Sequence, residues 1–477
     1  MDKEIISKLE YKGKWWLPDN PEKQISGTLK IMPNKEILLE LEGVFKDIEE
    51  ITKILEPKIE IILGISLTEE NITLYECFGI KSNVSVSVSG LQISSLFRVN
   101  EVFIGVHFQK SEDVKFKELF IRYLYLDEWI NVYGFNVSCD SDEKEVIVKY
   151  KQPYPIQASI GEDCKISIEF ELISSSIMPK EINIKQRAYV RVKYSTEKSL
   201  NECWDIVRRI QNFLSFGVGE PVYSLVIKGM TEANKQTVNG KFHNPPVEIY
   251  HRSLEIPKAR RMLLPCDMLF TFKDISEKFE IFLKNWFEKA NILEPVYNLY
   301  FQMLYNPRLP LQLQFLSLIQ AIEAYHRCKF EGKYLSDDDY KPIYEKLTEF
   351  INGLPTEHSF KDALKSKLKY SNEYSLRKRL KDLFKKYEEV VSTFIKNKDD
   401  FIEKIINTRN YFVHYDENLK EKAVNGKELY HITQQLKIVT EICLLSELGF
   451  DFKEIKNLLS RNRRCLVCGL GNLTYQL

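Results

Sequence analysis

"KDDFIEKIINTRNYFVHYD", Lys398 to Asp416, decides how the second half of this sequence folds. Ile402, Ile405, Arg409 and Phe412 recur at three- and four-residue steps, the period of one face of an α-helix. Asp399 or Asp400 stands where an N-cap acceptor is wanted. The helix therefore carries a guanidinium on its apolar stripe and an imidazole, His414, five residues further on. A five-residue step turns about 140° on an ideal helix, so the two groups do not share a face. Either the arginine stem and the helix end bring them together, or a second copy of the helix supplies the missing partner. A charge on an apolar stripe is costly unless it is paired. Arg409 and His414 are thus either a reactive pair or part of a salt-bridge network tying two helices.

Working outward, the neighbouring segments are also helical. "LQFLSLIQAIEAYHRCKF" puts Leu316, Ile319, Glu323 and His326 on one stripe, and "KELYHITQQLKIVTEICLLSEL" does the same with Leu429, Ile432, Leu436, Val439 and Cys443. This texture begins near Asp274, where glycine and strict alternation nearly vanish. Before it, runs such as "EILLELEG", "KIEIILGISL", "EVFIGVHF", "KEVIVKY", "CKISIEFEL" and "AYVRVKY" are short, rich in Val, Ile and aromatics, and often alternate. They predict an antiparallel sheet assembly, a sandwich or a barrel. One helix interrupts them, in "STEKSLNECWDIVRRIQNFLSFG", with Leu200, Trp204, Val207 and Ile210 at helical spacing and a capping-like start at its first residues. The expected organisation is a β-rich region over residues 1–270, a helical bundle over 271–460 and a short tail over 461–477.

At 477 residues the chain is too long for one ordinary domain. Its formal net charge is zero, so a nucleic acid would have to be held by local basic patches. The nine cysteines are mostly dispersed, which points to reduced thiols and a cytoplasmic protein. No run has the length and apolarity of a membrane helix or a signal-peptide core, so no membrane partner is expected. No phosphate-binding glycine loop, H-E-x-x-H or nucleophile elbow occurs, which leaves nucleotide hydrolysis, zinc proteolysis and esterase chemistry without support.

An arginine and a histidine do suit metal-free RNA cleavage. The ribose 2′-hydroxyl attacks the adjacent phosphate, a base takes its proton, and an acid protonates the departing 5′-oxygen. Histidine fits either proton-transfer role because its ordinary pKa is near 6.5. Arginine fits the phosphate, since its planar fork donates to two non-bridging oxygens. One chain offers one such pair, whereas the reaction wants two proton-transfer groups, so a homodimer with facing motifs would complete the site.

Here a resemblance becomes specific. Arg409-Asn410-x3-His414 resembles the R-N-x3-H form of the R-x4–6-H motif of HEPN ribonucleases. "INTRNYFVHYD" and "QAIEAYHRCKFEGKYL" (Gln320 to Leu335) are similar to HEPN domains of abortive-infection proteins, and "GKWWLPDNPEKQISGTLKI" (Gly13 to Ile31) resembles the opening of the ApeA anti-phage proteins. The resemblance implies a metal-independent endoribonuclease of anti-phage defence, a homodimer or higher homo-oligomer. It would cut cellular RNA, tRNA foremost, and be released by a phage-derived trigger. It assigns Arg409 to phosphate stabilisation, His414 to proton transfer and Asn410 to holding the site. The alternative is a non-catalytic HEPN module that binds nucleic acid or a protein.

Several other residues invite a role beside a plainer reading. Glu323 would orient Arg409 across the bundle, or pair with Arg327 or Lys329. Asp416 would orient the His414 imidazole, or be a surface charge at a helix end. The segment Lys361 to Lys386 holds Lys365, Lys369, Arg377, Lys378 and Arg379 with Tyr370 and Tyr374 interleaved. It reads as a phosphate track with stacking platforms or as a solvated helix face. Cys465 and Cys468 form a C-x2-C pair of zinc-knuckle spacing, but no second pair follows, so a structural zinc needs ligands from elsewhere and free thiols are the simpler reading.

Overall fold

The computed structural model describes residues 8–32, 36–45, 58–87, 90–140, 144–178, 181–238, 241–252 and 261–469. Two compact units emerge, Met1–Glu280 and Ile281–Leu477, a division slightly beyond the change of sequence texture.

The first unit opens with β1 (Leu9–Leu17), β2 (Asn20–Ile31), β3 (Ile37–Leu41), β4 (Ile59–Ser66), β5 (Asn71–Ser87) and β6 (Gly90–Ile104). They run in the order β6-β3-β2-β1-β4-β5, and β5 pairs back onto β6, closing a six-stranded antiparallel barrel. Alternate residues point inward, so Trp15, Leu29, Leu39, Ile62, Leu74 and Phe97 fill the interior. Gly64 is required beside Trp15: a Cβ there would stand 2.2 Å from the indole ring.

The chain continues through β7 (Lys115–Tyr123), α1 (Leu126–Ile130), β8 (Phe135–Asp140), β9 (Glu145–Tyr150), β10 (Ile156–Ile160), β11 (Cys164–Met178) and β12 (Glu181–Ser199). After α2 (Leu200–Val218) come β13 (Ser224–Met230), β14 (Gln236–Val238), β15 (Lys241–His243), β16 (Val247–His251) and the short α3 (Phe272–Ile275). Beyond the barrel, β6 also pairs with β16, and the sheet extends as β16-β13-β7-β12-β11-β10. The helix α2 covers β7 and β12, burying Leu200, Cys203, Val207, Ile210 and Phe213. Its cap differs from the sequence expectation. "STEK" finishes β12, and Ser199 with Glu202 forms the capping box: the Ser199 N–H donates to Glu202 Oε2 at 2.9 Å. Cys203 takes the buried position expected of Trp204, whose ring lies instead 4.7 Å from that of His251.

The second unit is helical: α4 (Phe279–Ile292), α5 (Glu294–Tyr305), α6 (Leu311–Lys329), α7 (Asp337–Gly353), α8 (His358–Lys369), α9 (Leu376–Lys386), α10 (Glu388–Phe394), α11 (Lys398–His414), α12 (Gly426–Leu448), α13 (Phe452–Arg461) and α14 (Arg463–Gly469). The helix α12 lies against α6, buries Leu429, Ile432, Leu436, Val439 and Cys443, and is buried all round from Ile438 to Leu445. On α6 the core stripe is Phe315, Leu318, Ile319, Ile322, Tyr325 and His326, one step round from the expected stripe, so Leu316 and Glu323 fall on its margin.

Several buried polar groups inside this unit are paired with one another. Tyr325 shares a 2.7 Å hydrogen bond with Tyr387 and donates to Glu447 at 2.9 Å. Tyr300 donates to the fully buried Glu441 at 2.8 Å, and Arg464 of α14 pairs with the same carboxylate. No helix among the described residues is long and apolar enough to cross a membrane.

Candidate functional site

The helix α11 positions the Arg-Asn-x3-His motif. Its cap is Asn397, whose side chain accepts from the Asp400 N–H at 3.1 Å, rather than Asp399 or Asp400. Phe401, Ile402, Ile405 and Thr408 face the core. Thr408 therefore occupies the stripe position expected of Arg409, and Arg409, Asn410 and Phe412 lie half-buried on its flank. Two contacts fix this end of the helix. The Phe412 ring meets Phe315 of α6 edge-on at 6.0 Å, and the Thr408 hydroxyl accepts from the Val424 N–H at 3.0 Å.

The helix stops immediately after the histidine. Tyr415 takes a left-handed conformation, φ 50°, and its N–H donates to the Tyr411 carbonyl at 2.7 Å. A tyrosine in this region is uncommon, and the turn leaves His414 as the last helical residue, exposed to solvent. Val413 and Tyr415 beside it are exposed as well, at 47% and 71%. His414 makes no hydrogen bond or ion pair among the described residues. Arg409 Nη1 donates to Asn410 Oδ1 at 3.1 Å, so the arginine and asparagine of the motif act as one unit, and no bond joins either to His414.

The supporting residues fall elsewhere. The Asp416 carboxylate accepts from the Asn418 N–H and side-chain amide, both at 3.0 Å, and so caps the following turn instead of holding the imidazole. The charge of Glu323 supports the protonated form of Arg379, and no hydrogen bond or ion pair joins Glu323 to Arg409 among the described residues. Nor does it take either of the plainer partners: Arg327 pairs with Glu373, and Lys329 with Glu447 at 2.9 Å.

The basic segment is split between α8 and α9. Lys369 and Arg377 are exposed. Lys365 lies 3.7 Å from Asp362, and Lys378 is 2.9 Å from Asp382 with its ammonium 5.3 Å from the centre of the Tyr374 ring. Arg379 does not belong to this surface. It is 1% exposed, donates to the Tyr374 carbonyl at 3.0 Å, and lies 3.0 Å from His326 Nδ1 and 3.6 Å from Glu373. Burial, then the nearby Arg327, lowers its proton affinity, while Glu323 and Glu373 raise it. Sequence spacing missed this cluster because the partners of Arg379 come from α6 and from the turn before α9.

No group of three potential metal ligands occurs among the described residues. Cys465 is fully buried in α14, and the side chain of Cys468 lies outside the described residues.

Residues 10–286 match the family described as ApeA N-terminal domain 1, and residues 316–454 match the Apea-like HEPN family. Comparison with curated proteins and with solved structures gives no match. The first of these families covers more than half of the sequence and the second carries the motif helix, so the chain belongs to the ApeA-type HEPN proteins.

Proposed function

We propose that the protein is a metal-independent endoribonuclease of anti-phage defence, with structured cellular RNA, tRNA foremost, as its substrate. The observation that carries the reading is the helix end itself. An exposed histidine closes α11, a linked arginine–asparagine pair lies about one turn behind it, and among the described residues no hydrogen bond or ion pair engages the imidazole.

Two such ends facing each other across a homodimer give the reaction what it needs. One His414 takes the 2′-hydroxyl proton, the 2′-oxygen attacks the phosphate, and the partner subunit's His414 protonates the departing 5′-oxygen. The products are a 2′,3′-cyclic phosphate and a 5′-hydroxyl. Arg409 donates to the non-bridging oxygens as charge builds on them, and Asn410 holds the guanidinium in place. Lys365, Lys369, Arg377 and Lys378 supply contacts to phosphates further along the strand. A cytosolic nuclease of this kind would have to be restrained until a phage-derived trigger arrives.

The test uses the full chain, purified and also in phage-challenged cells expressing it, with tRNA cleavage as readout and EDTA present in vitro. His414→Ala should lower cleavage about 10²–10⁴-fold. Equal cleavage by the variant would remove His414 from the site. RNA binding that survives with no cleavage from either protein would favour the non-catalytic HEPN module.

A further inference from the structure

The helices α7 and α8 form an antiparallel hairpin in which the Tyr340 hydroxyl donates to the Leu368 carbonyl at 2.7 Å. Each helix is amphipathic. Tyr340, Ile343, Tyr344, Leu347, Phe350 and Ile351 recur at helical spacing on α7, as do Phe360, Leu364 and Leu368 on α8. Yet Ile351 is the only buried residue of α7, and α8 has none. The apolar side chains furthest from the hairpin seam stay in water: Ile343 at 43%, Leu347 at 41%, Phe350 at 68% and Phe360 at 52% exposure. Given 3.6 residues per turn and antiparallel helices, these four side chains lie on the same side of the hairpin. Two helices alone cannot cover such a face, whereas four can.

The charges say what covers it. The helix α7 carries five carboxylates against two lysines, and α8 carries four lysines against one aspartate. Suppose two hairpins stack face to face with their tips opposed. Then α7 lies on α7 and α8 on α8, and like charges meet along the whole length. With the tips pointing the same way, each α7 lies on the other copy's α8, antiparallel and opposite in charge. Asp339 of one copy is then nearly level with Lys367 of the other, since Tyr340 and Leu368 are level within a hairpin. We propose that the α7–α8 hairpin is a self-association arm, pairing side by side with the same arm of a second copy of this chain into a four-helix bundle, tips aligned. The proposal does not depend on the nuclease reading, and the motif helix α11 takes no part in it.

Sedimentation velocity of the full chain over a concentration series tests it. Leu347→Glu with Phe350→Glu, both exposed, should weaken association at least tenfold and leave the helical circular dichroism unchanged. Asp339→Lys and Lys367→Glu should each weaken it several-fold, and the two together should restore it. That recovery also shows that the single variants fold. Association unmoved by all of these variants overturns the proposal. So does weakening by the single charge reversals without recovery in the double, which would align like helices instead. Loss of RNA retention in a gel with association intact would put the Asp339–Lys367 face itself on RNA, beyond the contacts of Lys365 and Lys369, again against the proposal.

Discussion

Arg379 Nη1 stands 3.0 Å from Nδ1 of His326. Arginine can only donate, so Nδ1 accepts and the ring proton belongs on Nε2, 3.6 Å from Asp382. Burial first, and then the charge of Arg379, lowers the affinity of the ring for a second proton. In the unfolded chain the same histidine takes up that proton near pH 6.5. Its contribution to stability is therefore complete above about pH 6.5 and declines as the pH falls below that value. Thermal unfolding followed from pH 7.5 to 5 should show a steeper loss for the wild type than for His326→Gln.

Arg379→Ala is expected to destabilise the protein by about 3–5 kcal/mol, because it strips a buried cluster of its central donor. Arg377→Ala, two residues away and exposed, should change stability by no more than about 0.5 kcal/mol. Denaturant titration separates the two outcomes. Gly332 belongs to the same cluster. It has φ +64°, and a Cβ there would meet Arg379 Nη1 at 2.6 Å, so Gly332→Ala should be destabilising too.

Thr408→Val keeps the shape of the α11 core face and removes the acceptor for the buried Val424 N–H. A loss of about 1–3 kcal/mol is expected. Hydrogen exchange should speed up at Val424 and in the turn after Tyr415, while helix α2 in the other unit keeps its protection.

Glu101 on β6 lies opposite Tyr75 on β5 and His251 on β16. Burial, and then repulsion from Glu76, pushes its carboxyl up to about 7. Between the ordinary carboxylate value and 7 the folded chain holds a proton that the unfolded chain has released, so this residue lowers stability as the pH rises through that window. Glu101→Gln should raise the unfolding midpoint at pH 8, by about 2–3 kcal/mol in stability, and leave it unchanged near pH 4.5. Calorimetry at the two pH values checks the sign.

The division into a β-rich and a helical part could be read from the sequence because each has its own period of apolar residues. Runs such as "CKISIEFEL" and "AYVRVKY" became β11 and β12 because their alternation matches a sheet with one buried face. The strand β7, "KFKELFIRY", was harder to see, since charges interleave its buried Phe116, Leu119, Ile121 and Tyr123. The closed barrel depends on β5 pairing with both β4 and β6, a long-range choice that no local pattern encodes. On α11 the motif was legible, but a threonine outcompeted the arginine for the buried stripe because a hydroxyl is far cheaper to enclose than a guanidinium. Arg379 shows the converse. Surrounded by lysines in the chain, it looks like a surface cation, and only the fold supplies the histidine, glutamate and carbonyl that let it be enclosed.

The strand β6 is a member of two assemblies, aligned with β3 and β5 in the barrel wall and with β16 in the outer sheet. A slip of one residue along it would turn Phe97 and Val99 out of the barrel and, in the same movement, undo the ladder from Glu101 to Ile104. Neither sheet can be re-registered alone. Insertions and deletions should therefore be tolerated in the hairpin tips and rejected along this shared seam, which makes β6 the natural datum for comparing the barrel with other chains.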